Sequence, residues 1–218
     1  MSFIRKVLTR MTPFMEAKGF VQCGKNYHYV SNNIAYCVAF DAPGGLLYVT
    51  AYIMPLYIPC ENRYYTYGRR LSELRGCAIP SLTKDDNAAL VDQWCENLCR
   101  CLEDVVIPQF HRIGTPDDLA YHADNNTTPS GWFFPCPPVF VERLKTHTYL
   151  YLKDYSKTAV ALRNYRELLE NCTFLTVVVR NKYIEEINTV ELLLDGCDAD
   201  VSNFCFQNID VARKVLMQ

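Results

Sequence analysis

The apolar residues at the start of the chain recur at steps of three and four, and the step then changes to two. The first set comprises Phe3, Ile4, Val7, Leu8, Met11, Phe14 and Met15. This spacing predicts an amphipathic helix, in which Pro13 introduces a kink or a restart. Gly19 suits the left-handed residue that closes a helix, so we expect the helix to end there and a strand to begin at Phe20.

Three runs rich in Tyr, Val, Phe and Ile follow this helix, over residues 20–30, 34–41 and 46–54. Residues 31–33 (Ser-Asn-Asn) and 42–45 (Ala-Pro-Gly-Gly) separate the runs. Breaks of this composition form turns, which predicts antiparallel hairpins. The second run is apolar on both faces, so we expect helices to cover at least one face of the sheet.

The middle of the chain is predicted to hold a long connection and then a long helix. Proline and glycine interrupt any period in residues 55–82, although residues 64–67 fit a short edge strand. Thr83 is the predicted N-cap of the helix, and Pro108 marks its predicted end. The apolar stripe of this helix comprises Val91, Trp94, Cys95, Leu98, Leu102, Val105 and Val106. Residues 115–118 (Thr-Pro-Asp-Asp) predict a second helix start.

The remainder of the chain is predicted to be mainly helical. Residues 124–138 are rich in proline and polar residues, a composition that fits a connection between domains. Helices are predicted over residues 139–171 and 183–194, and again after Gly196, where the apolar spacing is helical. The β-branched run 174–179 fits either a helix or a strand.

These elements predict an α+β fold. An antiparallel sheet of three or four strands is covered by the first helix and the Thr83 helix, and the C-terminal third is mostly helical. We predict an α+β domain over residues 1–123, a Pro/aromatic connection over 124–138, and a helical subdomain over 139–218 that packs on the first domain.

Composition narrows the class of protein. Half of the 218 residues are hydrophobic and 21% are charged, which predicts a folded chain, and no apolar run is long enough to span a membrane. We find no secretion signal, so we expect a cytoplasmic protein with no membrane partner. Eleven cysteines, mostly in apolar segments, indicate reduced, buried thiols. The net charge of −2 disfavours a broad surface for nucleic acid.

The side chains that could perform chemistry also have structural explanations. Cys95, Cys99 and Cys101 are the densest thiol cluster, but no Cys-x2-Cys pair exists and Cys95 lies on the apolar stripe, so we interpret them as core residues. The four histidines form no recognisable motif with each other, although a Cys/His pair that meets only in the fold stays open. We therefore assign no catalytic residue, no metal site and no cofactor.

The first 120 residues resemble a group of small uncharacterised bacterial domains. The resemblance rests on the helix over residues 3–18, the Gly19-Phe20 pair, the aromatic hairpin 27–40, the helix 83–107 and the Thr-led cap at 115–119. Such domains are similar to cytoplasmic immunity or accessory proteins encoded near bacterial toxin genes. The resemblance implies binding of a partner rather than turnover of a substrate.

Two aromatic segments are the candidate partner-binding residues. Arginine and tyrosine are frequent in protein interfaces, and aromatic rings with guanidinium groups also stack on bases. The candidates are Arg63, Tyr64, Tyr65, Tyr67, Arg69, Arg70, Arg75, Trp132 and Phe133. The alternatives are an amphipathic edge strand with packed tyrosines and solvated arginines, and rings at residues 132–134 that seal the joint between the two halves.

We therefore predict a non-catalytic cytosolic interaction protein that binds a protein partner through the Arg/Tyr surface, with a toxin-neutralising, immunity-like or other defence-associated role. The alternative is a small enzyme or a nucleic-acid-binding protein that uses a cleft between the two halves. A homodimer is a further open alternative.

Overall fold

The computed structural model describes residues 3–63, 66–77, 79–125 and 136–218, and it has the predicted α+β architecture. One five-stranded antiparallel sheet packs against helices, and the C-terminal part is helical. The strands are β1 (Val21–Cys23), β2 (Asn26–Ser31), β3 (Ile34–Asp41), β4 (Tyr48–Pro55) and β5 (Gly68–Arg70). The helices are α1 (Phe3–Ala17), α2 (Ala88–Cys101), α3 (Ile107–Arg112), α4 (Pro116–Asn125), α5 (Pro138–Tyr151), α6 (Tyr155–Glu170), α7 (Val177–Leu194) and α8 (Asp198–Leu216).

Helix α1 ends as the sequence predicts. Gly19 adopts a φ of +83°, and its N–H donates to the carbonyl oxygen of Glu16 at 2.9 Å. The N–H of Phe20 donates to the carbonyl oxygen of Met15 at 3.0 Å, which completes the hydrogen-bond pair typical of a glycine-closed helix. The predicted restart at Pro13 does not occur, because α1 continues through that residue.

The sheet is a meander with strand order β1-β2-β3-β4-β5. It has five strands, where three or four were predicted, for two local reasons. Gly24, with a φ of +60°, turns the chain back inside the first apolar run and divides it into β1 and β2. The short strand β5 also pairs with β4 through Thr50, Ala51 and Tyr52. Of the edge-strand segment predicted at 64–67, Tyr64 and Tyr65 lie outside the described residues.

The central strand β3 is buried on both faces, as its composition predicts. On one face, the hydroxyl of Tyr27 donates to the carbonyl oxygen of Leu8 in α1 at 3.0 Å. Tyr36 on the same face donates to the carbonyl oxygen of Ile113 and packs against Phe110, with ring centroids 5.3 Å apart. Helices α1 and α3 therefore cover this face.

The opposite face of the sheet meets the connection that follows β4. Burial lowers the pKa of His28 on this face, and the nearby charge of Arg63 lowers it further. Arg63 in turn donates through Nε to the carbonyl oxygen of Val215 at 3.3 Å and through Nη2 to that of Leu216. The C-terminal end of α8 is thus joined to the connection beside the sheet.

The helix that was predicted to start at Thr83 starts four residues later. Asn87 is the N-cap of α2, and its side chain accepts a hydrogen bond from the N–H of Leu90 at 3.0 Å. Thr83 instead donates to the carboxylate of Asp86 and pairs with Leu46 in an isolated β-bridge. The prediction failed because Thr, Asp and Asn are all good caps, and the competing contact to Leu46 is distant in sequence.

Pro108 does not end this helical segment. Residues Leu102–Val106 wind as a π-helix and lead directly into α3, where Pro108 occupies the first turn. The N–H of Ile107 bonds to the carbonyl oxygen of Leu102, so the π-helical turn shifts the hydrogen-bond ladder just before Pro108 and the helix continues past the proline. The cap predicted at residues 115–118 is confirmed, because the Thr115 hydroxyl accepts from the N–H of Asp118 at 3.1 Å.

The ambiguous run 174–179 enters a helix. Thr176 is the N-cap of α7 and accepts from the N–H of Val179 at 3.4 Å, so the helix begins at Val177. Each helix from α1 to α8 contributes buried apolar side chains to one large cluster, while Ala120, Tyr149 and Ala161 form a second, small cluster. The division into domains at 124–138 stays a prediction, and residues 126–135 of that connection lie outside the described residues.

The prediction that all the cysteines are reduced is wrong for one pair. Cys77 and Cys101 form a disulfide that joins the loop after β5 to the end of α2. The other nine cysteines are free thiols. Burial raises the pKa of Cys95 to about 12, which agrees with its interpretation as a core residue. Composition could not indicate the pair, because only the path of the loop brings Cys77 to α2.

Gly68 provides a test of the β4–β5 contact. A Cβ atom at this position would collide with the carbonyl oxygen of Ala51 and with Cβ of Tyr52. We predict that Gly68→Ala lowers the free energy of unfolding by about 1–3 kcal/mol, measured by urea denaturation. The matched control is Gly114→Ala, where the added Cβ would meet its nearest atom at 3.5 Å. Equal stabilities of the two variants would contradict the pairing of β5 with β4.

The disulfide provides a second test. Cys77 and Cys101 are 24 residues apart, and a crosslink closing a loop of this length stabilises the folded state by about 3 kcal/mol. We predict that the Cys77→Ser/Cys101→Ser variant loses about this amount in urea denaturation. Reducing agent should then lower the stability of the wild-type chain while leaving the variant unchanged. A wild-type stability that does not respond to reduction would contradict the pairing.

Candidate functional site

The predicted partner-binding residues divide between two parts of the structure. Arg63 is half-buried and binds the last carbonyl groups of α8. Tyr67 is fully buried, and its hydroxyl donates to the carbonyl oxygen of Phe140 at 3.1 Å, so its ring is not accessible to a partner. Tyr64, Tyr65, Trp132 and Phe133 lie outside the described residues.

The remaining arginines lie at and beyond the edge of the sheet. Arg69 and Arg70 belong to β5, and Arg75 is exposed in the turn that follows. The guanidinium carbon of Arg70 lies 4.3 Å from the ring centroid of Tyr48 in β4. Arg63 lines one cavity of the structure, and Arg69 and Arg70 line another. The partner-binding role of these residues stays a prediction.

A cleft of about 580 Å³ lies between the connection that follows β4 and the C-terminal helices. Cys60, Glu61 and Arg63 line it from the connection, Lys182, Glu185 and Thr189 from α7, and Phe204 and Asn208 from α8. Arg143 of α5 and Glu186 of α7 also line it. The predicted alternative function placed a cleft between the two halves of the chain, and this cleft has such a location.

The α7 wall of the cleft is a single helix face. The cleft is lined from α7 by Val179, Lys182, Tyr183, Glu185, Glu186 and Thr189. The spacing of Lys182, Glu185 and Thr189 extends along the helix to Val178 and Leu192, which are not among the lining residues. Val178 is 67% exposed and Leu192 is 75% exposed. Exposed apolar side chains therefore lie beyond both ends of the polar row that Lys182, Glu185 and Thr189 form on α7.

The residues of α8 that line the cleft also share one helix face. Phe204 and Asn208 line the cleft, and Val211 follows Phe204 by seven residues, so it shares their helix face. Val211 is 45% exposed. The cleft is thus bordered by two helix faces, each of which combines polar groups with exposed apolar groups.

A buried ion pair joins helix α5 to helix α7 at this cleft. Arg143 donates to Glu186 through two parallel hydrogen bonds, Nε to Oε1 and Nη2 to Oε2, each 2.7 Å long. Nη2 also donates to the carbonyl oxygen of Pro59 at 2.9 Å. Nε2 of His147 lies 2.7 Å from Oε1 of Glu186. One carboxylate therefore ties α5 to α7, and Arg143 ties both to the connection.

The electrostatics of this cluster favour an ionised carboxylate. Burial alone would raise the pKa of Glu186, but the charge of Arg143, the neighbouring His147 and the hydrogen bonds from both lower this pKa to about 2. Since an ionised carboxylate only accepts hydrogen bonds, Nε2 of His147 is the donor in their contact. A carboxylate with so low a pKa is a weak general base near neutral pH.

Aromatic contacts surround the ion pair. The guanidinium carbon of Arg143 lies 5.1 Å from the ring centroid of Tyr183, which also lines the cleft. The ring of His147 stacks on Phe204 with centroids 6.3 Å apart. Arg143 and His147 lie on α5, while Tyr183 and Phe204 lie on α7 and α8. These contacts hold the floor of the cleft in one geometry.

Exposed apolar side chains concentrate near the C-terminus. Those in this region are Phe174, Val177, Val178, Ile184, Leu192, Phe206, Val211 and Met217. In α7 the structure buries Ile187 and Val190, while Ile184 is 38% exposed. The sequence carried a signal for this exposure, because the apolar residues of α7 are distributed all around the helix. One core-facing stripe needs fewer apolar residues than α7 has.

Other kinds of site were also sought in the described part of the chain. Within it, no group of three or more His, Cys, Asp or Glu side chains is arranged to hold a metal ion. None of the described helices combines the length and the apolar character needed to cross a membrane.

Comparisons with known proteins gave no match. This holds for protein-family models, for curated proteins and for solved structures. The resemblance of the first 120 residues to immunity-like domains therefore stays a prediction.

The ion pair predicts a specific response to acid. The lowered pKa of Glu186 means that its charge stabilises the fold above about pH 4.5, and that this stabilisation, roughly 3 kcal/mol, is lost as the pH falls towards 2. Glu186→Gln leaves the buried Arg143 without a counter-ion, so we predict that it costs about 3–5 kcal/mol at pH 7. The variant should also show a weaker dependence of stability on pH between 4.5 and 2.

Urea denaturation at pH 7 and pH 3 measures both effects. The matched control is Glu185→Gln, an exposed neighbour on the same helix, which should change the free energy of unfolding by no more than about 0.5 kcal/mol. If the Glu186 and Glu185 variants behaved alike at both pH values, the ion pair would not anchor the helices.

Proposed function

We propose that this chain is an interaction protein that holds a helical segment of a protein partner in the cleft between α7 and α8. The observation that carries the proposal is the α7 wall, where Val178 and Leu192 stand exposed at the two ends of a polar face. Grooves that bind helices present anchor sites at helical spacing, and exposed apolar groups beside a cleft are typical of such interfaces.

The dimensions of the wall define the bound segment. Val178 and Leu192 are 14 residues apart in α7, which corresponds to about 21 Å along the helix. A partner helix of about the same length would place one apolar side chain against each end. Burying a side chain of this size contributes about 1.5–3 kcal/mol. Two such contacts give about 3–6 kcal/mol, which is no more than the cost of association, so polar contacts along the wall must add to them for the affinity to be measurable.

The charges of the cleft favour a particular partner chemistry. Lys182 already pairs with Glu61 across the cleft at 2.7 Å, and Arg143 pairs with Glu186. Glu185, exposed in the middle of the α7 wall, has no ion-pair partner among the described residues. A partner segment with a lysine or arginine between its two apolar anchors would therefore complement the wall.

The alternative functions of a cleft are less well supported by these charges. Arg63, Arg143 and Lys182 are matched within the cleft by Glu61, Glu185 and Glu186, a balance that does not favour a polyanion such as nucleic acid. The acid–base contact at the floor joins Glu186 to His147, but Arg143 holds this carboxylate in its ionised form. The cluster is better explained as an anchor for the helices than as a proton-transfer centre.

The biological setting follows from the resemblance of the first 120 residues. It favours a cytoplasmic, defence-associated role, in which the partner is the product of a neighbouring toxin gene and binding neutralises it. The product of the adjacent gene is therefore the first partner to test, as a purified protein.

The test measures the affinity of the purified chain for that partner by calorimetry. The variant Val178→Glu/Leu192→Glu changes only exposed groups, and we predict that it binds about tenfold more weakly or worse. The matched control is Phe206→Glu, which alters a 70% exposed apolar residue on the face of α8 opposite to Phe204 and Asn208, the residues that line the cleft. Thermal denaturation checks that all variants are folded.

Two results would reject the cleft as the binding site. One is unchanged affinity of the Val178→Glu/Leu192→Glu variant. The other is an equal loss of affinity in the Phe206→Glu control. If the Val178→Glu/Leu192→Glu variant bound normally and an Arg70→Ala/Arg75→Ala variant lost binding, the result would instead support the Arg/Tyr surface predicted from the sequence.

A further inference from the structure

A second cavity, of about 450 Å³, lies at the end of the sheet where β3, β4 and β5 meet. Its lining includes Ala39 and Asp41 from β3, Tyr48 and Thr50 from β4, and Gly68 and Arg70 from β5. The register explains this grouping, because Thr50 is the cross-strand neighbour of both Ala39 and Arg70, and Asp41 that of Tyr48. Side chains of directly paired residues lie on the same face of a sheet.

The positive side of the cavity is preorganised. Arg70 stacks on the ring of Tyr48, at 4.3 Å from its guanidinium carbon to the ring centroid, which restricts the side chain while leaving its N–H groups at the rim. Within the described residues, no carboxylate lies within ion-pair distance of Arg70. Arg69 is also among the lining residues, but it pairs with Ala51, so its side chain lies on the opposite face of the sheet and Arg70 supplies the donors.

These donors have a defined chemical preference. A guanidinium group presents a planar fork of N–H donors that matches the two oxygens of a carboxylate. The arginine side of the cavity is therefore suited to an oxyanion.

The opposite charge is present in the same cavity. Asp41 and Glu73 both line it. The carboxylate of Asp41 lies 4.0 Å from the ammonium group of Lys25, at the limit of an ion pair, and its side chain is 73% exposed. Glu73 has no ion-pair partner among the residues that the structure describes. Two carboxylates repel a polyanion, but they attract a ligand that also carries an ammonium group.

The floor between the two charged sides is small and polar. Ala39 and Gly68 contribute little side-chain volume there, and the hydroxyl of Thr50 can donate or accept a hydrogen bond. A volume of about 450 Å³ is in the range of small-molecule sites and accommodates an amino acid or a dipeptide.

We propose that this cavity binds a small zwitterion, whose carboxylate lies against Arg70 and whose ammonium group lies against Asp41 or Glu73. Free α-amino acids and short peptides share this chemistry. The inference does not depend on the α7–α8 cleft, because the two cavities share no lining residue.

Titration of the isotope-labelled chain, followed by NMR of the backbone amides, tests the proposal. The probes are glycine, glycylglycine, acetate and ethylamine, and the reporters are the amides of Thr50, Gly68 and Arg70. We expect saturable shifts with glycine or with glycylglycine, and the tighter of the two identifies a free amino acid or a peptide as the source. Absence of saturable shifts with both zwitterions overturns the proposal. Acetate binding as tightly as the zwitterions overturns the ammonium part of it.

Variants assign the two charged sides. Arg70→Gln keeps the approximate size of the side chain, and it should weaken binding of the zwitterion about tenfold or more. Asp41→Asn/Glu73→Gln should weaken the zwitterion and leave acetate unchanged or bound more tightly. Arg75→Gln is the control, since Arg75 is exposed outside the cavity lining, and it should bind as the wild type does. Unchanged affinity in Arg70→Gln would overturn the proposed geometry.

Discussion

The burial of one ion pair constrains the arrangement of the C-terminal helices. Arg143 and Glu186 come from α5 and α7, and neither charge can remain in the interior without the other. The guanidinium group of Arg143 donates a third hydrogen bond, from Nη2 to the carbonyl oxygen of Pro59. Arg143 therefore also fixes the connection that leaves the sheet. The cleft exists because these three segments meet at a polar point, where apolar packing alone would close the gap.

The exposed face of α7 is a consequence of this arrangement. The helix contributes Ile187 and Val190 to the core, while Glu186 at its centre is committed to Arg143. Tyr183, Leu193 and Leu194 pack partly against the core, whereas Val178 and Leu192 remain exposed to solvent. Apolar groups exposed to water carry a free-energy cost that a binding partner removes, which is the physical basis of the proposed interaction.

Local features of the fold could be predicted from the sequence, and distant contacts could not. The glycine closure at Gly19 and the cap at Thr115 depend on residues within five positions of each other, and both are confirmed. The α+β class followed from the change of apolar period after Gly19. The start of α2, the Cys77–Cys101 disulfide and the Arg143–Glu186 pair each depend on segments that only the folded chain brings together. The candidate site belongs to the second group. The sequence indicated Arg63 and, as an alternative, a cleft between the two halves of the chain, but not the pair Arg143 and Glu186 that anchors it.

A double-mutant cycle on the ion pair tests the central claim most directly. The variants are Arg143→Met, Glu186→Leu and the two together, and the measurement is the free energy of unfolding in urea. If the pair is a buried, mutually dependent anchor, each single variant should lose about 3–5 kcal/mol, and the double variant should recover most of that loss. Two small and additive losses would contradict the account, because they would show that the charges act independently of each other.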